Sequence, residues 1–371
     1  MQSALLLPEL LEKVKLQSAA KKDYVANTQS VMQVYQNEFN NHLMMSLTNP
    51  DIAETQNHFG INETAHRQIA TKLGIPVKYY LKLLQKHPDL LIPQINGLFN
   101  REPSDRMVRT LDGNVRAFLS NSYKRIDNDT VLRHSLPAII KGDIETVPLS
   151  TNVTDKKMYL KILIPDERFA QEIGKCRDGS PDIVHPAFTL SNSEIGQGSV
   201  KLAAFFYRTF CHNGCTFGNE DMFSFSRTHL GSKLGVGNSF NILSDATKQK
   251  EDELIMSQVT DVIRSIASPE FSQQMGDNLR ATKNSEKVIN PIKSVELLCK
   301  EVGVTQDESE SVIESFIADQ DYSKWGMANA VTQLANRAES CDYDRASEIE
   351  KIGGKILQLN DNTWNRIAAA A

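Results

Sequence analysis

Two dipeptides, Asp112-Gly113 and Asn213-Gly214, each lie between β-rich runs, and they constrain the fold more than any other feature of the chain. Asn or Asp followed by Gly supplies two residues that tolerate positive φ, as a two-residue hairpin turn requires. The first pair predicts a hairpin over "RMVRTLDGNVRAFLS" with Asp112-Gly113 at its tip. The second predicts a hairpin tip within "FFYRTFCHNGCTFG". "IETVPLS" and "KMYLKILIP" form a further strand pair, and "NDTVLRHSLPAIIKGD" a short helix before it. The passage holding Gly179, Pro181, Pro186, Gly196 and Gly198 reads as loop. It leads into "VKLAAFFYRTFC" and then "MFSFSRTHLG", where alternation places Phe223, Phe225, Arg227 and His229 on one strand face.

Helical periodicity flanks these strands. In "NETAHRQIATKLGIPVKYYLKLLQK" two amphipathic pieces meet at Gly74, and Pro76 suits the start of the second. Ala70, Gly74, Tyr80 and Leu83 fall where a helix-turn-helix needs small, turning and packing residues, leaving Lys78, Tyr79 and Lys82 outside. Beyond Asp245, Ile255, Val259, Val262 and Ile266 recur at helix spacing. Asn290 caps a helix with Pro291 at its first position and a stop at Gly303. Trp325, Ala328, Val331, Ala335 and Ala338 form one apolar stripe, and Ala346, Ile349, Ile352 and Ile356 another, with Gly353-Gly354 permitting close helix approach. The expectation is an α+β protein: a helical N-terminal region over 1–100, a central antiparallel sheet of hairpins over 101–244, and a helical C-terminal region over 245–371.

A formal charge of −5 on 371 residues argues against a uniformly basic nucleic-acid coat and leaves room for a local basic groove. Five thinly spread cysteines do not make a secreted disulfide framework. The opening "MQSALLLPELLEKVK" lacks a basic n-region, and Pro8 and Glu9 break its apolar run, so no signal peptide is expected. With no apolar run of membrane-spanning length, the expected location is the cytoplasm.

Metal and nucleotide motifs are weak. Cys211, His212, Cys215 and His229 would have to close a four-ligand site without a second short-spaced pair. A thiol nucleophile at Cys211 lacks a recognisable context. "GSKLGVG", residues 231–237, matches neither phosphate-loop pattern. No catalytic residue, metal or cofactor is therefore expected.

Basic and aromatic residues interleave more tellingly. Arg106, Arg109, Arg116, Lys124 and Arg125 face only Asp112 within their stretch, and Tyr123 sits beside Lys124-Arg125. Tyr207, Arg208, Arg227, His229 and Lys233 follow on later strands. On one sheet these would line a positive groove with rings for base stacking, which sequence-tolerant single-strand binding requires. A solvated sheet face with scattered salt bridges is the competing account.

"VRAFLSNSYKRIDNDTVL", "GSVKLAAFFYRTFCHNGC", "SFSRTHLG" and "WGMANAVTQLANRAESCDYDRASEIEKIGGKIL" resemble the phage/plasmid-like protein family that carries domain of unknown function 932. The resemblance runs in order from about Gly74 to Leu357, and is most specific at Ser120 to Arg125 and Arg208 to Gly214; Asn121-Ser122 replaces an acidic-basic pair of the family pattern. It implies residence on a mobile element and an intracellular location in a bacterial host, without an activity. Mobile elements commonly encode strand-annealing proteins with a hairpin-and-helix core, a basic groove and ring oligomers, and the element order here is compatible by analogy.

The leading expectation is a non-enzymatic single-stranded DNA-binding protein, annealing in recombination as a homo-oligomer. Arg109, Arg116, Lys124, Arg125, Arg208, Arg227 and Lys233 would neutralise phosphates, and Tyr123 and Tyr207 would stack on bases. His229 would stand at the same face, and Asn213-Gly214 would shape the groove wall. The alternatives are a metal-dependent nuclease or hydrolase, and a factor that binds a host defence or replication protein through its C-terminal helices.

Overall fold

The structure is a computed structural model that describes residues 5–40, 42–48, 58–140, 144–208, 213–216, 224–227, 245–336 and 343–370. The first part comprises α1 (Leu7–Ala20), β1 (Lys22–Asn27), α2 (Thr28–Val31), β2 (Met32–Gln36), β3 (Leu43–Leu47) and β4 (His58–Ile61). Three helices follow, α3 (Glu63–Lys72), α4 (Val77–Lys86) and α5 (Pro88–Arg101), then the strands β5 (Asp105–Leu111) and β6 (Asn114–Ser120). After α6 (Asn128–Ile140) come β7 (Val147–Val153), β8 (Met158–Leu163), β9 (Gln171–Lys175), β10 (Pro181–Asn192), β11 (Val200–Arg208), β12 (Asn213–Thr216) and β13 (Ser224–Arg227). The C-terminal helices are α7 (Asp245–Ile266), α8 (Pro269–Lys283), α9 (Pro291–Val302), α10 (Gln306–Asp319), α11 (Lys324–Asn336), α12 (Tyr343–Leu357) and α13 (Asp361–Ala368). The protein is α+β, with a helical C-terminal region.

The first hundred residues are not purely helical, since β1 to β4 lie among them. These short strands join β5 and β6 in a six-stranded sheet of order β1-β5-β6-β4-β3-β2, in which β4 and β6 run parallel and the other pairs antiparallel. Their alternation is visible in burial: Leu43, Met45 and Leu47 point inward while Met44 and Ser46 are only half-buried. The Asp112-Gly113 tip is as expected, with φ of 49° and 75°, and Leu111 pairs with Asn114 across it.

The second sheet runs β12-β11-β10-β8-β7, with β9 added to β10 and β13 to β11. Here two expectations shift. Asn213-Gly214 is not the hairpin tip but the start of β12, paired as Asn213 with Arg208 and Gly214 with Tyr207. The connection between those strands is residues 209–212, outside the described residues along with His212. And the passage expected to be loop contains β10, the longest strand among the described residues at 12 residues, running through Pro186. The proline is tolerated because β8 pairs with β10 only from Ala187 onward. Pro186 accepts from Ile164 N at 3.0 Å, so its missing donor faces past the end of β8.

The packing groups the chain differently from a 1–100, 101–244 and 245–371 division. One core unites the six-stranded sheet with α3 to α5, through Ile69, Tyr80, Leu91, Phe99 and Phe118. The other unites the second sheet with α1, α6 and the C-terminal helices, from Leu10 through Phe206 to Trp364. A small apolar patch of Met107, Ala117, Leu119 and Ile195 lies between them. The expected C-terminal features hold: Asn290 accepts from Lys293 N, Gly303 ends α9 at φ 79°, and Ile255, Val259 and Ile266 are buried. A Cβ on Gly353 would overlap Thr332 Cγ2, so glycine there sets the approach of α12 to α11.

Candidate nucleic-acid interface

The structure does bring several of the sequence-derived cations together, but against acids rather than on an open face. Arg109 is 0% exposed. It donates from Nε to Asp23 at 2.8 Å, from Nη2 to Asp127 at 2.7 Å, and from Nη1 to the Glu194 carbonyl at 2.7 Å. Arg116 is buried and reaches Glu194 at 2.5 Å, while Lys21 bridges Asp127 at 2.9 Å and Glu194 at 3.0 Å. Burial alone would raise the Asp127 carboxyl; the Arg109 and Lys21 charges outweigh it and hold it at about 2. Glu194 is likewise pulled below its ordinary range, chiefly by Arg116 against the opposing effect of burial.

Arg208 belongs to a second buried group. It donates to both oxygens of Asp182, at 2.6 and 3.0 Å, and Lys283 reaches the same carboxylate at 2.8 Å. Tyr123 donates to the Ser193 carbonyl at 3.1 Å, and burial pushes its hydroxyl up. Arg109, Arg116, Arg208 and Tyr123 thus act as internal ties. The reason is electrostatic: burying a cation is tolerable only with partners, and Asp23, Asp127, Asp182 and Glu194 supply them from distant segments.

The remaining candidates divide. Arg125 is 57% exposed, 3.5 Å from Asp23. Lys124 is half-buried and interacts within the chain, as does Tyr207, whose hydroxyl is raised by burial. Asn213 and Arg227 are placed by backbone only, in β12 and β13. His229 and Lys233 lie outside the described residues, as do Cys211 and the 231–237 glycine run.

Exposed positive charge gathers instead on the helix pair. Asn62 caps α3 by accepting from Ala65 N at 2.9 Å. Gly74, at φ 69°, turns the chain, and Ile75 N returns to the Ala70 carbonyl at 2.9 Å. Pro76 then starts α4. Ala70, Tyr80 and Leu83 face the core as the spacing predicts, and Ala65 and Ile69 are buried with them. That leaves Lys78, Lys82 and Lys86 one turn apart on the outer face, with Tyr79 49% exposed beside them. Residues 64–88 contain Arg67, Lys72, Lys78, Lys82 and Lys86 and no Asp or Glu. Among the described residues, no ion pair engages Lys72 or any of the three α4 lysines. The signal for Lys72 and Lys86 is in the sequence, in a 25-residue segment that contains no acid and whose cations repeat at helix spacing.

Next to this row is a cleft of about 760 Å³, bounded by α3 and α4 on one side and by β3, β4 and the β5–β6 turn on the other. His66 lines it, and its Nδ1 lies 2.9 Å from the hydroxyl of wholly buried Tyr80. Burial holds the His66 imidazole down at about 4, so it is neutral near pH 7.

A family model described as domain of unknown function (DUF932) matches residues 116–353, more than half of the chain. The chain belongs to this family. No curated protein and no solved structure matches it. The DUF932 segment begins at Arg116 in β6 and ends at Gly353 in α12, so it takes in the second sheet and most of the C-terminal helices. The α3–α4 pair and the Arg109 half of the ion-pair group lie before it. Among the described residues, no helix is long and apolar enough to cross a membrane.

Proposed function

We propose that this protein binds nucleic acid, with single-stranded DNA as its ligand, through the outer face of α4. The observation that carries the reading is the row Lys78, Lys82 and Lys86, exposed and outside any ion pair with a described residue, in a chain of net charge −5. Like charges at i, i+4 oppose helix formation by about 0.2–0.5 kcal/mol per pair. A polyanion laid along the row turns that repulsion into attraction. The lysines repeat about every 6 Å along the axis, and Tyr79 offers a ring for base stacking beside them. Annealing of strands by an oligomer, on a prophage or plasmid, extends the same proposal.

The α3–α4 connection favours a second reading, duplex binding. Its left-handed Gly74 and short turn have the form of a helix-turn-helix, with α4 in the position of the reading helix. Fluorescence anisotropy with labelled single-stranded and duplex oligonucleotides across a salt series tests both. Three or four lysine–phosphate contacts give a slope of log K against log salt of about −2 to −3 on a single strand. Preference for duplex supports the second reading, and no binding of either ligand at low salt overturns both.

A further inference from the structure

We propose that the cleft beside α4 is a nucleobase pocket, holding one base of the strand whose phosphates lie on the lysine row. This rests on the α4 reading and adds what the site recognises. The cleft's volume of about 760 Å³ is within the roughly 300–1,000 Å³ of small-ligand pockets. Its lining suits an uncharged heterocycle: Leu81 and Leu84 from α4 give apolar walls, and Gln85, Asn114 and His66 give neutral polar groups. The charged pair at its edge, Glu63 and Arg67, is self-neutralised at 2.7 Å.

Two of these groups take complementary roles in the proposed pocket. The buried Tyr80 hydroxyl has one described partner, His66 Nδ1, at 2.9 Å. In the proposed pocket the phenol is the donor of this pair, so the neutral imidazole carries its proton on Nε2 and His66, which lines the cleft, offers a donor. Asn114 uses Nδ2 on the Asp112 carbonyl at 3.0 Å, which leaves Oδ1 as an acceptor. That oxygen lies across Gly60, where any Cβ would collide with it. A donor from one side and an acceptor from another is the complement of a base edge that offers both, the principle by which side-chain amides read adenine. Gln85 is on the same side of α4 as Lys78 and Lys82, so a strand tracking the lysines passes the cleft mouth.

The test compares the wild-type chain on a labelled single-stranded oligonucleotide and on a strand of equal length whose sugars lack bases. Tighter binding of the base-bearing strand, by about tenfold, is expected. Gly60→Ala, which displaces only the end of the Asn114 side chain, and Gln85→Ala on the exposed helix face should each shrink that ratio and leave the salt slope unchanged. Equal wild-type affinity for the two strands overturns the pocket while leaving strand binding by α4 intact. Binding of neither strand overturns the α4 reading and the pocket with it. A ratio that both variants leave untouched also overturns the pocket, because base recognition then lies elsewhere.

Discussion

Arg109 Nη2 donates to Asp127 Oδ1 at 2.7 Å, tying β5 of the first sheet to the residue just before α6, where the second core begins. With Asp23, Glu194, Arg116 and Lys21 around it, this contact makes the junction between the two sheets ionic and largely dry. Removing one partner from such a group leaves a buried charge unmatched. Arg109→Ala should therefore destabilise the chain by about 3–5 kcal/mol, read from urea unfolding. Arg116→Glu, which sets a second carboxylate against Glu194, should likewise impair folding. Wild-type stability in either variant contradicts the junction.

The same group sets an acid limit. The Asp127 carboxyl is held at about 2, below its ordinary 3.8. A depressed folded value contributes stability that is present above pH 4 and lost as pH falls from 4 towards 2. The contribution is about 2 kcal/mol. Asp127→Asn should remove that part of the acid transition in unfolding titrations.

His66 acts in a different window. Its folded value of about 4 lies below the ordinary 6.5, so the unfolded chain binds the proton more readily. Stability from this group is complete above pH 6.5 and lost as pH falls towards 4, by about 3 kcal/mol. Urea titrations at pH 7 and pH 4.5 should separate the wild type from His66→Gln, whose stability changes less over that interval.

Helix α12 depends on Gly353. A methyl group there meets Thr332 Cγ2, so Gly353→Ala should cost about 1–3 kcal/mol by overpacking. Thr332→Ser removes the opposing methyl and should recover much of the loss. Additive effects in that double-mutant cycle would mean the two helices do not meet as described.

The fold was legible wherever chemistry is local. Asp112-Gly113, the Asn290 cap with Pro291, Gly303 and the buried stripes of α7 and α12 follow from turn, cap and period rules that need no distant partner. Strands β1 to β4 were not legible, because each has only four to six residues and the region's strong helical periodicity in α3 and α4 dominates it. Pro186 hid β10 for a related reason: whether a strand can absorb a proline depends on where its neighbour ends. The site shows the same division. Arg109, Arg116 and Arg208 look like a basic stripe in sequence because their acids lie far along the chain, Asp23 by 86 residues from Arg109 and Glu194 by 78 from Arg116. The α4 lysines needed no such knowledge, since helix spacing alone turns Lys78 and Lys82 outward.

On the proposed reading α4, and not the sheet junction, carries the nucleic-acid contact. Anisotropy of Lys78→Glu/Lys82→Glu beside Arg125→Glu, on a labelled single strand across a salt series, tests it most directly, with circular dichroism confirming that each variant is folded. The α4 variant should bind at least about tenfold more weakly, with a salt slope shallower by about 1.4 for two lost phosphate contacts, while Arg125→Glu binds nearly as the wild type does. Unchanged affinity in the α4 variant, with binding lost in Arg125→Glu, would overturn the α4 interface and return the contact to the junction.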